Sequence, residues 1–117
     1  MKRKKFDSIL KAVAIFFKTI AHPDRIRLIG LLKNGEMDVS ELQNAMGVSQ
    51  SSVSQHLKIL KFNGLVESRH SGKHHYYYLV SPLIAEVIIS AIELQAKYLL
   101  HEPEMLAMLQ EMKNLLV

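Results

Sequence analysis

Residues 47–64, GVSQSSVSQHLKILKFNG, constrain the fold most, because a turn, a helix and a helix stop follow one another there. Ser49 suits the N-cap position, since its hydroxyl can accept a hydrogen bond from a free amide of the first turn. Gly64 suits the left-handed conformation that ends many helices. Between them, one apolar stripe recurs at helical spacing: Val53, Leu57 and Leu60. The stretch therefore predicts the second helix of a helix-turn-helix.

The face opposite this stripe is polar, and residues 50–63 contain no acidic side chain. Gln can bond adenine through two hydrogen bonds in the major groove of DNA, and Ser can bond several base edges. The residues of this helix that we expect to contact DNA are Gln50, Ser51, Ser52, Ser54, Gln55, Lys58 and Lys61. A polar linker and a solvated helix without a partner are the alternative interpretations.

The net charge of +4 is unevenly distributed along the chain. Residues 1–5 carry four Lys or Arg side chains, and residues 49–80 carry four against one Glu. Residues 81–117 carry two Lys against five Glu. This concentration of positive charge favours a phosphate-binding surface at the helix-turn-helix. We predict a basic arm in residues 1–5, followed by a single winged-helix domain in residues 6–117.

The composition excludes several classes of function. The chain has no cysteine, which excludes disulfides and thiolate metal sites. The apolar stretch 83–100 is interrupted by three charged residues, so we expect no membrane span. No pair of nucleophile and base and no glycine-rich phosphate loop can be found. We therefore expect a cytoplasmic protein that is not an enzyme and needs no cofactor.

Two helices are predicted ahead of the helix-turn-helix. The first should run from about Phe6 to Ile20, with a core stripe of Ile9, Val13, Phe16, Phe17 and Ile20. Pro23 should open the second helix and Gly35 should close it, with an inner row of Ile26, Ile29 and Leu32. We expect His22 to be an N-cap or a surface residue rather than a metal ligand.

A short third helix should complete the helix-turn-helix on its N-terminal side. Ser40 and Gln43 have the spacing of a capping box, in which each side chain bonds the backbone of the other. The side chains that this helix should bury are Leu42, Ala45 and Met46. Gly47 should then turn the chain into the recognition helix.

After Gly64 the period of the pattern changes to that of strands. Residues 65–70 and 74–80, joined by Ser71-Gly72-Lys73, predict a β-hairpin. A basic hairpin beside a recognition helix is a wing that can contact the phosphate backbone. The wing residues that we expect to contact DNA are Arg69, Lys73 and His74. A solvated hairpin whose tyrosines pack on the core is the alternative, and we expect both buried tyrosines and a DNA-facing tip.

The C-terminal part should form two helices. Ser81 and Pro82 suit the N-cap and first position of a long helix, which Pro103 should break or restart. This helix and the first one offer more apolar surface than a small domain can cover, which predicts a homodimer. The residues expected in its interface are Leu10, Val13, Phe17, Val87, Ile88, Ile92 and Leu99.

Several motifs together resemble the ArsR/SmtB family of bacterial winged-helix repressors. They are IAHPDRIRLIGLL (20–32), GEMDVSEL (35–42), GVSQSSVSQHLKIL (47–60) and GLVESRHSGKHHYYYL (64–79). The resemblance covers roughly residues 10–100. It implies a mainly α fold with a small β-hairpin, in the order ααααββα with a further C-terminal helix. It also implies homodimeric binding to double-stranded operator DNA.

The metal sites of that family are not reproduced in this chain. Family sensors commonly carry two cysteines in the segment that matches residues 35–42, where this chain has Asp38 and Ser40. A second family site needs an acidic-x-His pair early in the C-terminal helix, and Glu86 is followed there by Ile88. We therefore predict no metal site of either kind.

Only His101 and Glu104 resemble the late pair of the second family site, and Pro103 lies between them. They are weak candidates for metal ligands, because a proline disturbs the helical spacing that would direct both at one ion. His56 lies beside the apolar stripe of the recognition helix. We expect it to be packed and hydrogen-bonded rather than a proton switch.

These patterns predict a homodimeric, sequence-specific repressor that occludes a palindromic operator. The alternatives are a winged-helix module that binds proteins without specific DNA binding and, more remotely, a binder of double-stranded RNA. A protein-binding module would usually present an apolar or acidic recognition face. The face predicted here carries Ser, Gln and Lys, which favours DNA.

Overall fold

The computed structural model describes residues 2–99 and 103–116. The elements in chain order are α1 (Lys2–Ile20), α2 (Pro23–Leu32), β1 (Met37–Asp38), α3 (Val39–Met46), α4 (Gln50–Phe62), β2 (Val66–Ser71), β3 (His74–Leu79), α5 (Leu83–Leu99) and α6 (Pro103–Leu116). This is the predicted mainly α winged-helix fold, with one strand more than the hairpin. Among the described residues, no helix combines the length and apolar character that crossing a bilayer requires.

The core lies between α2, α3 and α4. Its fully buried side chains include Leu28, Ile29, Leu32, Leu42, Val53, Leu57 and Leu60. The predicted stripe of the recognition helix is confirmed, as are two of the three predicted inner residues of α2. The third, Ile26, is half-buried against the core. Arg27 connects α2 to the end of α3, since its guanidinium donates to the carbonyl oxygens of Ala45 at 2.8 Å and Met46 at 3.5 Å.

Helix α1 ends at Ile20 as predicted but differs from its prediction at its N-terminal end and in the burial of its apolar stripe. It begins at Lys2, so residues 2–5 form its first turn and not a separate arm; Lys and Arg are good helix formers. Its predicted core stripe is largely wrong, because Ile20 is buried and Phe16 packs against the core while the other three members are exposed. Only the C-terminal end of α1 reaches the core, so most of its apolar face is uncovered in the single chain.

The start of α3 was predicted two residues too late. Asp38 is the N-cap, and it forms a capping box with Glu41, whose Oε1 accepts a hydrogen bond from the Asp38 backbone N–H at 3.2 Å. Leu42 and Met46 are buried as predicted, whereas Ala45 is exposed. The helix ends at Gly47, which has the left-handed φ of 67°.

The wing is a three-stranded antiparallel sheet in the order β1-β3-β2. Strands β2 and β3 pair from Val66–Leu79 to Ser71–His74, which confirms the predicted hairpin. The sequence did not predict β1, a two-residue strand whose Asp38 pairs with Tyr76. This strand attaches the chain just before α3 to the wing.

Helix α5 packs its N-terminal half on the core and α6 follows it. The Ser81 hydroxyl accepts a hydrogen bond from the Leu83 N–H at 3.2 Å, in keeping with the predicted N-cap. Ile84, Ala85 and Ile88 are buried. The prediction that Pro103 restarts the helix is confirmed, because α6 begins there.

Candidate nucleic-acid interface

The geometry of α4 is set by a three-residue turn in front and a Schellman motif behind. The Ser49 hydroxyl accepts a hydrogen bond from the Ser52 N–H at 3.1 Å, which confirms the predicted N-cap. At the other end, the Leu65 N–H donates to the Leu60 carbonyl at 2.9 Å and the Gly64 N–H to the Lys61 carbonyl at 3.0 Å. Gly64 has a φ of 76°, as its predicted capping role requires. Both ends of the recognition helix are therefore fixed.

The outer face of α4 is open to solvent and polar. The predicted contact residues that are exposed are Gln50, Ser51, Ser54, Gln55, Lys58 and Lys61. Ser52 is half-buried, and its backbone N–H donates the hydrogen bond to the hydroxyl of the N-cap Ser49. The helix contains no acidic residue, so a phosphate backbone meets no like charge along it.

Two features at the end of α4 were not predicted from the sequence. The Lys61 ammonium donates a hydrogen bond to the Ser68 hydroxyl of β2 at 2.7 Å, which connects the recognition helix to the wing. Phe62 is 89% exposed and shares the outer face with Gln55 and Lys58. An exposed aromatic ring is unusual on a face that is otherwise polar.

Arg69 is held by an acidic partner rather than left free for phosphate. Its guanidinium donates two hydrogen bonds to the carboxylate of Glu36, one of them from Nε at 2.8 Å, and it lies over the ring of Tyr76 at 4.6 Å. The hydrogen bond lowers the pKa of Glu36 and raises that of Arg69 relative to their ordinary values. The positive charge of Arg69, which was predicted to contact phosphate, is therefore offset by the neighbouring carboxylate of Glu36. Within the described residues, Lys73 at the tip forms no such pair.

His74, the remaining predicted wing contact, is also paired. Its Nδ1 lies 2.7 Å from Oδ2 of Asp38, the N-cap of α3. This hydrogen bond lowers the pKa of the Asp38 carboxyl below its ordinary value. His74 is exposed but is directed toward α3 by this contact.

Two further histidines of the hairpin, His70 and His75, contact each other. The rings of His70 and His75 stack with centroids 4.0 Å apart. The pKa of His75 is lowered mainly because its ring is buried and, to a smaller extent, because His70 lies beside it.

The predicted burial of the tyrosines is confirmed in part, since Tyr77 packs against the core while Tyr78 is exposed.

The side chains of His22, Asp24 and His56 meet between α2 and α4, a cluster that was not predicted from the sequence. The prediction that His22 is an N-cap is confirmed, because its Nδ1 accepts a hydrogen bond from the Asp24 N–H at 3.1 Å. Nε2 of His56 lies 3.6 Å from Oδ2 of Asp24, and the two imidazole rings are 4.4 Å apart. Burial lowers the pKa of His56. His56 is packed as predicted, but its Nδ1 is buried without a hydrogen-bond partner in the described part of the chain.

The weak metal candidates on the C-terminal helices are only partly described. Glu104 is exposed in the first turn of α6. His101 lies outside the described residues. The structure therefore does not place the two side chains relative to each other.

The predicted dimer residues fall into two groups. Leu10, Val13, Phe17 and Val87 are exposed in the single chain. Ile88 is only 3% exposed and belongs to the core of the protomer, so its assignment to the interface was wrong; α5 turns that side toward the core. Ile92 is half-buried against the core, and the side chain of Leu99 lies outside the described residues.

The comparisons with known proteins agree on one family. Residues 22–68 match the sequence profile described as "Bacterial regulatory protein, arsR family". The HTH-type transcriptional regulator Rv0081 of Mycobacterium tuberculosis is 37% identical over 94 residues, which cover 80% of this chain and 82% of that protein. The biofilm growth-associated repressor of Xylella fastidiosa is 34% identical over 88 residues, covering 75% of this chain and 77% of that protein.

Solved structures show the same likeness in three dimensions. The crystal structure of Rv0081 matches with a TM-score of 0.69 at 38% identity, covering 78% of this chain and 92% of that one. The homodimeric winged helix-turn-helix domain of Mb0332 from Mycobacterium bovis, solved by NMR, matches with a TM-score of 0.73 at 28% identity, covering 85% and 92%. The helix-turn-helix, the wing and these relatives together show that the chain belongs to the ArsR/SmtB family of DNA-binding transcriptional regulators, as its sequence predicted.

Proposed function

We propose that the protein is a homodimeric repressor that occupies a palindromic operator and so blocks access of the transcription machinery to the promoter. The observation that carries this proposal is the outer face of α4, which is polar, exposed and free of acidic residues. Its position at the N-terminal half of a helix with both ends capped suits insertion into the major groove. The Xylella relative is named as a repressor, which supports the same direction of regulation.

Base recognition is assigned to the N-terminal half of α4. Gln55 and Ser51 project directly away from the buried stripe and are exposed, so they can reach base edges. Gln50, Ser52 and Ser54 flank them. A bidentate Gln–adenine pair distinguishes that base from the other three in the major groove.

Phosphate contacts are assigned to Lys58 and Lys61 on the helix and to Lys73 at the wing tip. Lys61 already bonds Ser68, so helix and wing would approach the backbone as one unit. Arg69 and His74 position the wing through their contacts with Glu36 and Asp38, and the carboxylate of Glu36 offsets the positive charge of Arg69.

A second copy of the chain is the partner that fits the uncovered apolar surface. Leu10, Val13 and Phe17 line the exposed face of α1, and an apolar groove of about 530 Å³ lies where α1 meets the start of α5. Such a surface is costly to leave in water, and covering it by two-fold pairing would place two recognition helices for two half-sites. The relative Mb0332 forms a homodimer.

A winged-helix module that binds only proteins is not favoured, because the outer face of α4 is polar and carries cations. We place the repressor in the cytoplasm, where a bacterial operator is accessible.

Footprinting on the DNA upstream of its own gene, in competition with random DNA, tests the function. A protected inverted repeat is the expected result. Equal affinity for upstream and random DNA at every salt concentration would refute specific regulation.

A further inference from the structure

The three groups between α2 and α4 have the composition of a metal site. One ligand atom from each of His22, Asp24 and His56 lies within 4.8 Å of the other two. Two imidazoles and one carboxylate are the donor set of open zinc sites, in which a water molecule completes the tetrahedron. All three residues are half-buried, so the site is shielded yet reachable from solvent.

The distances are compatible with closure around an ion. Zinc bonds to nitrogen and oxygen are about 2.0–2.2 Å long, which places tetrahedral ligand atoms roughly 3.3–3.6 Å apart. Nε2 of His56 and Oδ2 of Asp24 are already 3.6 Å apart. The three ligand atoms all lie within 4.8 Å of one another, so the ligand atom of His22 needs to approach by at most about 1.5 Å, which side-chain rotation can supply.

The contact between His56 and Asp24 fixes which nitrogen could bind an ion. Nε2 of His56 faces Asp24, whereas Nδ1 is buried without a hydrogen-bond partner within the described residues. The 3.6 Å between Nε2 and Oδ2 of Asp24 is longer than a normal hydrogen bond, so the two groups are not joined directly. An ion bound to both of them and to His22 would join the three residues through ligand bonds.

We propose that His22, Asp24 and His56 bind Zn²⁺ and thereby join the start of α2 to the recognition helix. The site differs from the cysteine site, which the sequence excludes, and from the weak candidate site of the C-terminal helices, since none of its ligands lies in those segments. His56 directly follows Gln55 in α4, so the ion fixes the recognition helix beside a proposed base contact. Binding also competes with the N-cap of α2, because Nδ1 of His22 now accepts from the Asp24 N–H.

Zinc binding by the full chain, without DNA, tests the site directly. The apo protein is titrated with Zn²⁺ against a competing chelator and, separately, with Co²⁺, whose visible absorption reports four-coordination. We expect one ion per chain and a shifted Asp24 amide resonance in the NMR spectrum. Asp24→Asn and His56→Gln should each weaken binding by about 10–100-fold or more, the range caused by removing even an outer-shell partner.

Two matched variants separate this site from its rivals. His70→Gln removes a histidine from the wing, and His101→Gln removes the candidate of the C-terminal helix; neither should change the zinc affinity. Circular dichroism shows which variants fold, and Asp24→Asn preserves shape if His56→Gln does not. No bound zinc, unchanged affinity in Asp24→Asn, or loss of binding in His101→Gln would each overturn the proposal. The proposed repressor function is tested separately by footprinting without added zinc.

Discussion

Asp38 bonds both the first helix of the helix-turn-helix and the wing. Its Oδ1 accepts a hydrogen bond from the Ser40 N–H at 3.5 Å, while its Oδ2 lies 2.7 Å from Nδ1 of His74. The Asp38 backbone N–H in turn donates a hydrogen bond to Oε1 of Glu41 at 3.2 Å. The start of α3 and the wing therefore share one carboxylate.

Replacing Asp38 by Asn should reduce the loss of folding stability that occurs when the pH is lowered. The hydrogen bond from His74 lowers the pKa of the folded carboxyl below the 3.8 of an ordinary Asp. Its stabilising contribution is present above the unfolded value and is lost as pH falls through the folded value. Urea unfolding of the wild type and of Asp38→Asn, compared from about pH 6 to pH 3, measures this contribution. Glu67→Gln on the same hairpin is the control, and parallel curves for the wild type and Asp38→Asn would contradict the prediction.

The recognition helix could be predicted because its signals are local. Ser49, Gly64 and the stripe between them specify a capped helix without reference to the rest of the chain. The capping box of α3 could not be placed in the same way, since MDVSELQ contains both Asp38-x-x-Glu41 and Ser40-x-x-Gln43. The pairing of β1 with β3, a contact between distant segments, decides between them.

Burial and charge pairing depended on tertiary contacts that periodicity does not reveal. Periodicity predicts the apolar rows of α1 and α5, but it does not show which side of each helix faces the core of the protomer. Val13 was assigned to the core stripe and is exposed, whereas Ile88 was assigned to the dimer interface and is buried. Arg69 was recognised as a wing cation, whereas its partner Glu36 is remote in sequence. The approach of His22 to His56 likewise has no signal in the spacing of residues.

Gln55→Ala should weaken specific binding more than general binding. Loss of a bidentate base contact costs about 1–3 kcal/mol on the operator and little on random DNA. Fluorescence anisotropy with both DNAs at one salt concentration measures the difference. Lys58→Ala is the control, because loss of a phosphate contact should weaken binding to both DNAs alike. If Gln55→Ala lost the same affinity on both, base recognition by Gln55 would be excluded.

The salt dependence of binding should distinguish Lys73 from Arg69. Each phosphate contact adds about one unit to the slope of log affinity against log salt, so Lys73→Ala should flatten it by about that amount. A double variant, Glu36→Ala with Arg69→Ala, removes the wing ion pair without changing the net charge, and the slope should stay as in the wild type. A flatter slope in the double variant would show that Arg69 contacts phosphate after all, as the sequence first suggested.

The final prediction separates the dimer interface from the core of the protomer. Val13 is 44% exposed on α1, so an Asp there is solvated in the single chain but becomes an unpaired charge if a second copy covers it. Val13→Asp should therefore sediment as a folded monomer. Ile88 lies in the core, and Ile88→Ala should lower the free energy of unfolding by about 2–5 kcal/mol and leave the surface of α1 intact. Sedimentation velocity and urea unfolding of both variants provide the comparison. A dimeric Val13→Asp would move the interface away from α1, toward the exposed residues at the C-terminal end of α5 and on α6.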